Sequence, residues 1–201
     1  MLLALMLALP TLAVAQCGPD TPCEIDGGSY HMIDGGGGQK GAPALVFFHG
    51  HNATGQMIFR GGIKSAFAEA GYVVIAPNGT PIEGRDRRRW AGREGGVRDD
   101  VGFVLDVVAD ARTKVSIHPD NIYVAGFSSG WSMSWPMSSK AADHFAVFLS
   151  IAGAFPPPPH TLHSPSPPFR FLPIHGVSHT LGPLLVPATR AWQHGRRGAS
   201  R

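Results

Sequence analysis

One pentapeptide, Gly126-Phe127-Ser128-Ser129-Gly130, constrains the fold of this chain more than any other feature. It follows an apolar run at 122–127 and precedes a helix-compatible stretch at 129–142. A G-x-S-x-G pattern in that context is typical of a sharp strand-to-helix turn that exposes a serine at the carboxyl end of a sheet. The flanking glycines are required because neighbouring backbone leaves no room for a Cβ. Ser128 is therefore a candidate nucleophile, and a chance match in a chain with 26 glycines is the alternative.

Apolar runs alternate with helical patterns along the rest of the chain. Two of these runs, 44–49 and 72–76, are apolar almost throughout, which is typical of strands buried on both faces. This alternation predicts an α/β fold with three layers and a mostly parallel sheet, formed by one domain at 16–176. We predict strands at 30–33, 44–49, 72–76, 122–127, 146–152 and 171–175, and helices at 58–70, 97–115 and 129–142.

The amino-terminal segment 1–15 is rich in Leu and Ala and ends in a small-x-small pattern. It is predicted to be a secretory signal peptide, too short for a membrane span, which implies a secreted or periplasmic protein. Because no Lys or Arg precedes the apolar run, a buried terminal element is the alternative. The only cysteines, Cys17 and Cys23, are expected to form a disulfide in an oxidising compartment. Two cysteines without a Cys/His cluster predict no metal site.

The net charge of +3 is unevenly distributed. Residues 144–201 contain five arginines and no Asp or Glu. The arginines between 85 and 89 are interleaved with Glu83 and Asp86, so a solvated loop is favoured over a nucleic-acid site. We therefore expect no nucleic-acid partner, and the oligomeric state is left open.

A second candidate feature, His49-Gly50-His51, directly follows the first long apolar run. In serine hydrolases with a G-x-S-x-G turn, this loop supplies one backbone N–H of the oxyanion hole, and the residue after the nucleophile supplies the other. The predicted donors are the amides of His51 and Ser129, with Gly50 permitting close approach. A simple strand-ending turn is the alternative.

Five segments together resemble the secreted polyhydroxybutyrate depolymerase and feruloyl/acetylxylan-type esterase branch of the α/β-hydrolases. The resemblance covers 17–176 and implies an α/β-hydrolase-like fold, a Ser-His-Asp triad and no cofactor. It also implies hydrolysis of an ester substrate, either a polymer oligomer or an aryl or acyl sugar ester, through an acyl-enzyme on Ser128. The segments are Phe48-His49-Gly50-His51, Val74-Ile75-Ala76-Pro77-Asn78-Gly79, Arg98-Asp99-Asp100-Val101-Gly102-Phe103, Ile122-Tyr123-Val124-Ala125-Gly126-Phe127-Ser128 and Ile151-Ala152-Gly153.

Two acidic residues in these segments, Asp99 and Asp100, are expected to be structural. A carboxylate in the first turn of a helix is favoured by the helix dipole. The catalytic acid in this fold also follows the serine in chain order.

The sequence departs from the family pattern after the serine. Where the family has His-Gly-x-x-Asp, this chain has His175-Gly176-Val177-Ser178-His179, so His179 occupies the acid position. Asp143 is the only carboxylate after Ser128 and is expected at the surface, while His194 does not match the family's histidine loop. The general base is left unassigned.

The segment 177–201 is predicted to be an atypical basic tail that leaves the carboxy-terminal part of the fold incomplete. Disorder, a frameshift and a truncation are the open explanations. Trp131 is expected to crowd the serine turn, and Pro136 to kink the helix after it. Two functions remain: a secreted serine carboxylic-ester hydrolase, or a non-catalytic α/β-hydrolase-like binding protein or inactive fragment.

Overall fold

A seven-stranded sheet forms the centre of the protein in the computed structural model, which describes residues 17–36, 41–60, 62–84, 87–90, 98–153 and 170–176. The predictions for 1–15 and 177–201, including those for His179 and His194, lie outside these residues. The strands are β1 (Cys23–Ile25), β2 (Gly28–Ile33), β3 (Ala42–Phe48), β4 (Val73–Pro77), β5 (Thr80–Pro81), β6 (Arg88–Arg89), β7 (Ile117–Phe127), β8 (Val147–Ile151) and β9 (Phe171–Ile174). The helices are α1 (Gly62–Glu69), α2 (Asp100–Lys114) and α3 (Trp131–Lys140), with 3₁₀ turns at Gly55–Phe59, Ser128–Gly130 and Ala142–His144.

The strand order β1-β2-β4-β3-β7-β8-β9 confirms the predicted mostly parallel sheet. In this sheet β4, β3, β7, β8 and β9 run parallel, whereas β1 and β2 are antiparallel to their neighbours. Strands β5 and β6 form a separate antiparallel pair. The register pairs Phe48 with Gly126, Phe127 with Ile151, and Ile151 with Ile174. The carboxyl ends of these four strands therefore meet at one edge of the sheet, where residues from distant parts of the sequence become neighbours.

Apolar side chains on both faces of the sheet form the core and confirm the three layers. Successive residues of a strand point to opposite faces. On β3, Val46 and Phe48 join the cluster that contains residues of α2 and α3, whereas Leu45 and Phe47 join the cluster beside α1. Burial on both faces explains why β3 and β4 are apolar almost throughout.

All three predicted helices have different bounds in the structure. The predicted helix 58–70 is wrong as one element, because a 3₁₀ turn at Gly55–Phe59 precedes α1. Gly55 lies where a Cβ would overlap the Ala76 carbonyl, and its N–H donates to Asn78 Oδ1 at 2.8 Å. The helix predicted at 97–115 begins at Asp100, and the helix after Ser128 begins as a 3₁₀ turn. Helix α3 then continues past Pro136 to Lys140.

The amino-terminal part of the described chain is tied to the sheet. A disulfide joins Cys17 and Cys23, with a Cα–Cα distance of 4.8 Å, and Cys23 begins β1. In the described ranges, no helix has the length and apolar character needed to cross a membrane.

Candidate active site

Ser128 lies on the turn between β7 and α3, in the left-handed region with φ of +50°. Such a φ is uncommon for a residue with a side chain and is a form of local strain found at functional sites. A Cβ on Gly126 would overlap the Gly130 carbonyl, and a Cβ on Gly130 would overlap the Phe48 carbonyl. Both glycines of the motif are therefore required by backbone contacts, as the sequence predicted.

The segment His49-Gly50-His51 follows β3 and lies directly beside this turn. A Cβ built on Gly50 would be 3.5 Å from Ser128 Cβ and 3.3 Å from Phe127 Cδ1. The His51 N–H has no hydrogen-bond acceptor within the part of the chain that the structure describes. The Ser129 N–H belongs to the first turn of a helix, where amides have no partner within the helix. The structure thus brings together the serine and the two segments predicted to supply oxyanion donors.

His49 is completely buried and connects two loops. Its Nε2 accepts a hydrogen bond from the Gly79 N–H at 3.0 Å, and its Nδ1 lies 2.8 Å from the Gly50 carbonyl oxygen. Because Nε2 is an acceptor, the proton of the neutral ring lies on Nδ1, which donates to Gly50. Burial lowers the pKa of His49 to about 4, so the ring is neutral at pH 7. The sequence analysis named His49 as part of its loop but missed the role of its side chain, although its position between an apolar run and a glycine indicated burial.

The β5–β6 hairpin covers His49 and its loop. Trp90 Nε1 donates to the His49 carbonyl at 3.0 Å, and the two rings are 4.9 Å apart. Arg88 donates from Nη1 to the Gly79 carbonyl at 3.2 Å, and its own carbonyl accepts from Asn52 N–H at 3.2 Å. Arg87 and Arg89 are exposed, as expected for a solvated loop, but Arg88 is a structural contact.

The adjacent acidic pair has the structural role that was expected. Asp99 caps α2 by accepting from the Val101 N–H at 3.2 Å. Asp100 is buried and pairs with Arg98 at 2.7 Å. Arg98 also lies 3.8 Å from the centre of the Phe103 ring and donates to the Asn78 carbonyl at 3.1 Å. These contacts fix the loop after β4 against the start of α2.

The carboxylate that follows Ser128 in sequence is far from it in space. Asp143 lies in the 3₁₀ turn before β8, and its side chain is 69% exposed. Since β8 runs parallel to β7, Asp143 lies at the edge of the sheet opposite Ser128, beyond a strand segment of about 13 Å. Asp143 therefore cannot support a histidine beside Ser128.

No histidine of the described ranges forms a hydrogen bond with Ser128. His175 lies at the same edge, after β9, where its Nε2 is 2.9 Å from the Gly153 carbonyl oxygen. Trp131 is accommodated beside Gly153, where a Cβ would overlap the tryptophan side chain. Within the described ranges, no group of three or more His, Cys, Asp or Glu could hold a metal ion.

Esterases and a serine hydrolase are among the known proteins to which this chain is similar. No family model matches the chain. The curated protein "Putative esterase NocK" from Nocardia uniformis subsp. tsuyamanensis is 29% identical over 151 residues, which are 72% of this chain and 42% of NocK. Acetyl xylan esterase from Aspergillus awamori superposes with a TM-score of 0.53 at 18% identity, covering 63% of this chain and 47% of that one.

A further solved structure, the fluorophosphonate-binding serine hydrolase FphF of Staphylococcus aureus, gives a TM-score of 0.53 at 17% identity. The match covers 64% of this chain and 52% of FphF. This chain thus spans about half the length of these proteins. The parallel sheet, the serine turn after β7 and these superpositions together show that the chain has the α/β-hydrolase fold.

Proposed function

We propose that this chain is a serine carboxylic-ester hydrolase in which Ser128 attacks the ester carbonyl. The Ser128 Oγ–carbonyl carbon bond would form as the serine proton passes to solvent, and the carbonyl oxygen would become an oxyanion held by the amides of His51 and Ser129. Collapse of this intermediate would break the ester C–O bond, so that the alcohol leaves with a proton from solvent and an acyl-enzyme remains. Water would then cleave the acyl-enzyme and release the carboxylic acid.

One observation carries this proposal: the loop that contains Gly50 and the His51 N–H lies directly beside Ser128. A Cβ built on Gly50 would lie 3.5 Å from Ser128 Cβ, which is van der Waals contact, so the loop and the serine are immediate neighbours. The His51 N–H is unpartnered within the described ranges and is therefore available to an oxyanion. Removal of one such donor typically lowers the rate by about 10²–10³-fold.

The substrate that we propose is an ester of a carboxylic acid, such as a hydroxyalkanoate oligomer or a feruloyl or acetyl sugar ester. The fold shared with acetyl xylan esterase and the sequence similarity to NocK support this substrate class. The five sequence segments that resemble the depolymerase and esterase branch support it independently.

A second candidate function is binding of an ester without efficient turnover. Two observations favour it: no hydrogen bond joins a histidine of the described ranges to Ser128, and Asp143 lies at the opposite edge of the sheet. General-base assistance typically contributes about 10²–10⁴-fold to such a reaction. Residues 144–201 offer no carboxylate to orient a base, and His179 occupies the position where the family has its acid.

Hydrolysis of p-nitrophenyl acetate separates the two functions. The hydrolase proposal predicts turnover that Ser128→Ala abolishes. The matched control is Ser139→Ala, because among the described residues the Ser139 hydroxyl donates only to the Pro136 carbonyl of its own helix, at 3.1 Å. Slow turnover that still depends on Ser128 is the expected result for a site with oxyanion donors and no oriented base. Turnover unchanged by Ser128→Ala would refute the nucleophile assignment.

Export to an oxidising compartment is also part of the proposal. The disulfide between Cys17 and Cys23 supports it. Intact-mass measurement of the exported protein should give a chain that begins at Gln16 and gains two hydrogens per molecule on reduction. Retention of residues 1–15, or two free thiols in the exported protein, would contradict this part.

A further inference from the structure

The hydrogen bonds of His49 determine the orientation of the peptide group that carries the His51 N–H. The Gly50 carbonyl oxygen and the His51 N–H belong to one trans peptide, in which the two groups point in opposite directions. His49 Nδ1 holds that oxygen at 2.8 Å, and the Ala53 N–H donates to it at 3.3 Å. Fixing the oxygen on the side of His49 therefore turns the His51 N–H to the other side.

The ring of His49 is itself fixed at its opposite nitrogen. The Gly79 N–H donates to Nε2 at 3.0 Å, and a Cβ on Gly79 would be 3.2 Å from that nitrogen. Trp90 packs on the ring and donates to the His49 carbonyl. Because Gly79 can only donate, the ring is restricted to one tautomer. Rotation of the ring by half a turn would place carbon atoms against both partners.

We propose that His49 is a positioning residue, which orients the His51 amide towards the space beside Ser128 by donating from Nδ1 to the Gly50 carbonyl while Gly79 fixes Nε2. This inference rests on the proposed function, since it concerns the oxyanion site of that reaction. His49 itself touches no substrate. The charged neighbours of the ring are Arg88, Arg98 and Asp100. The positive charges of the two arginines disfavour protonation of the His49 ring.

Two amide substitutions separate the two hydrogen bonds of His49. The side-chain nitrogen of Asn occupies the position of Nδ1, so His49→Asn keeps the donor to Gly50 and leaves Gly79 N–H without an acceptor. The side-chain oxygen of Gln occupies the position of Nε2, so His49→Gln keeps the acceptor for Gly79 and loses the donor to Gly50. If His49 has only a structural role, the less stable of the two variants should lose more function. If His49 positions the His51 amide, the variant that lacks the bond to Gly50 should lose more function, whatever its stability.

Phenylboronic acid is the probe, because its binding needs the serine and the oxyanion site but little general-base help. The Ser128 oxygen donates its lone pair to boron, an O–B bond forms and the serine proton passes to solvent, which gives an anionic tetrahedral adduct. Affinity is measured by titration calorimetry for the wild type, Ser128→Ala, His49→Asn and His49→Gln, with the thermal midpoint of each. We expect His49→Asn to stay within about 3-fold of the wild type and His49→Gln to bind about 10–100-fold more weakly.

The outcomes are distinguishable. If the wild type binds no better than Ser128→Ala, the proposed function fails and this inference fails with it. If the wild type binds through Ser128 while both His49 variants bind equally well, or in the order of their thermal midpoints, only the positioning role is refuted. Should the variants not fold, the ¹⁵N NMR signals of His49 in the wild type decide the matter. A neutral ring protonated on Nδ1 at pH 7 supports the inference, and a proton on Nε2 overturns it.

Discussion

Replacement of Gly130 by Ala tests the contact between the serine turn and the end of β3. A Cβ at this position would overlap the Phe48 carbonyl oxygen and would lie 2.9 Å from the His49 carbonyl oxygen. Real Cβ atoms essentially never come within 3.0 Å of such atoms. All of these neighbours are backbone, so no side-chain rotation relieves the overlap, and β3 or the turn must move.

The cost of this movement can be estimated from overpacked cores, in which an extra methyl group costs about 1–3 kcal/mol. Because both sides of the contact are buried backbone, at the carboxyl ends of neighbouring strands β3 and β7, we expect the upper value, about 3 kcal/mol. For a chain of this size, 1 kcal/mol corresponds to about 2–4 °C, so the thermal midpoint should fall by about 6–12 °C.

The assay is reversible thermal unfolding followed by circular dichroism. Gly62→Ala is the matched control, because Gly62 begins α1 and no heavy atom of the described chain lies within 4 Å of a Cβ placed there. Alanine in a helix is favoured over glycine by about 0.5–1 kcal/mol, so this control should unfold at the wild-type temperature or slightly above it. If Gly130→Ala unfolds within about 2 °C of the wild type, the backbone contact between turn and strand is refuted.

Two further predictions concern buried polar groups. Since burial lowers the pKa of His49 to about 4, the unfolded state binds a proton first as the pH falls. The free energy of unfolding should therefore decrease by about 3 kcal/mol between pH 6.5 and pH 4 in urea titrations, and His49→Gln should lack this decrease. If the free energy of unfolding changes equally with pH in the wild type and in His49→Gln, a neutral buried His49 is contradicted. Tyr30→Phe removes a buried hydroxyl that donates to Asp110 at 2.6 Å and should lower the free energy of unfolding by about 1–2 kcal/mol, whereas no change would show that the bond contributes nothing.

The sequence was sufficient to predict the parallel core of the fold. Strands such as β3 and β4 are apolar because both faces are covered, and this property is local in the sequence. Strands β1, β5 and β6, with two or three residues each, were not predicted. Such short strands are defined by hydrogen bonds to a partner strand, and they are too short to show a periodic pattern in the sequence.

The candidate site, like the fold, was predictable from the sequence only where it depends on a local pattern. Gly126 and Gly130 of the serine turn mark close backbone approaches, which the residue type itself reveals. The role of His49 depends on Gly79, 30 residues later, and on Trp90 in the hairpin. These contacts are set by the packing of the β5–β6 hairpin on the loop, which no local pattern records. The position of Asp143 at the opposite edge likewise follows only from the parallel pairing of β7 and β8.

The site of acylation tests the central claim most directly. After prolonged incubation with p-nitrophenyl acetate, peptide mass spectrometry identifies the residue that carries the acetyl group. Oxyanion binding without a base retains about 10³–10⁴-fold acceleration over water in a well-studied protease, so acylation should be measurable even if turnover is slow. The account predicts one acetyl group per chain, on Ser128, and none in Ser128→Ala. An acetyl group on another residue, or equal labelling of Ser128→Ala, would contradict it.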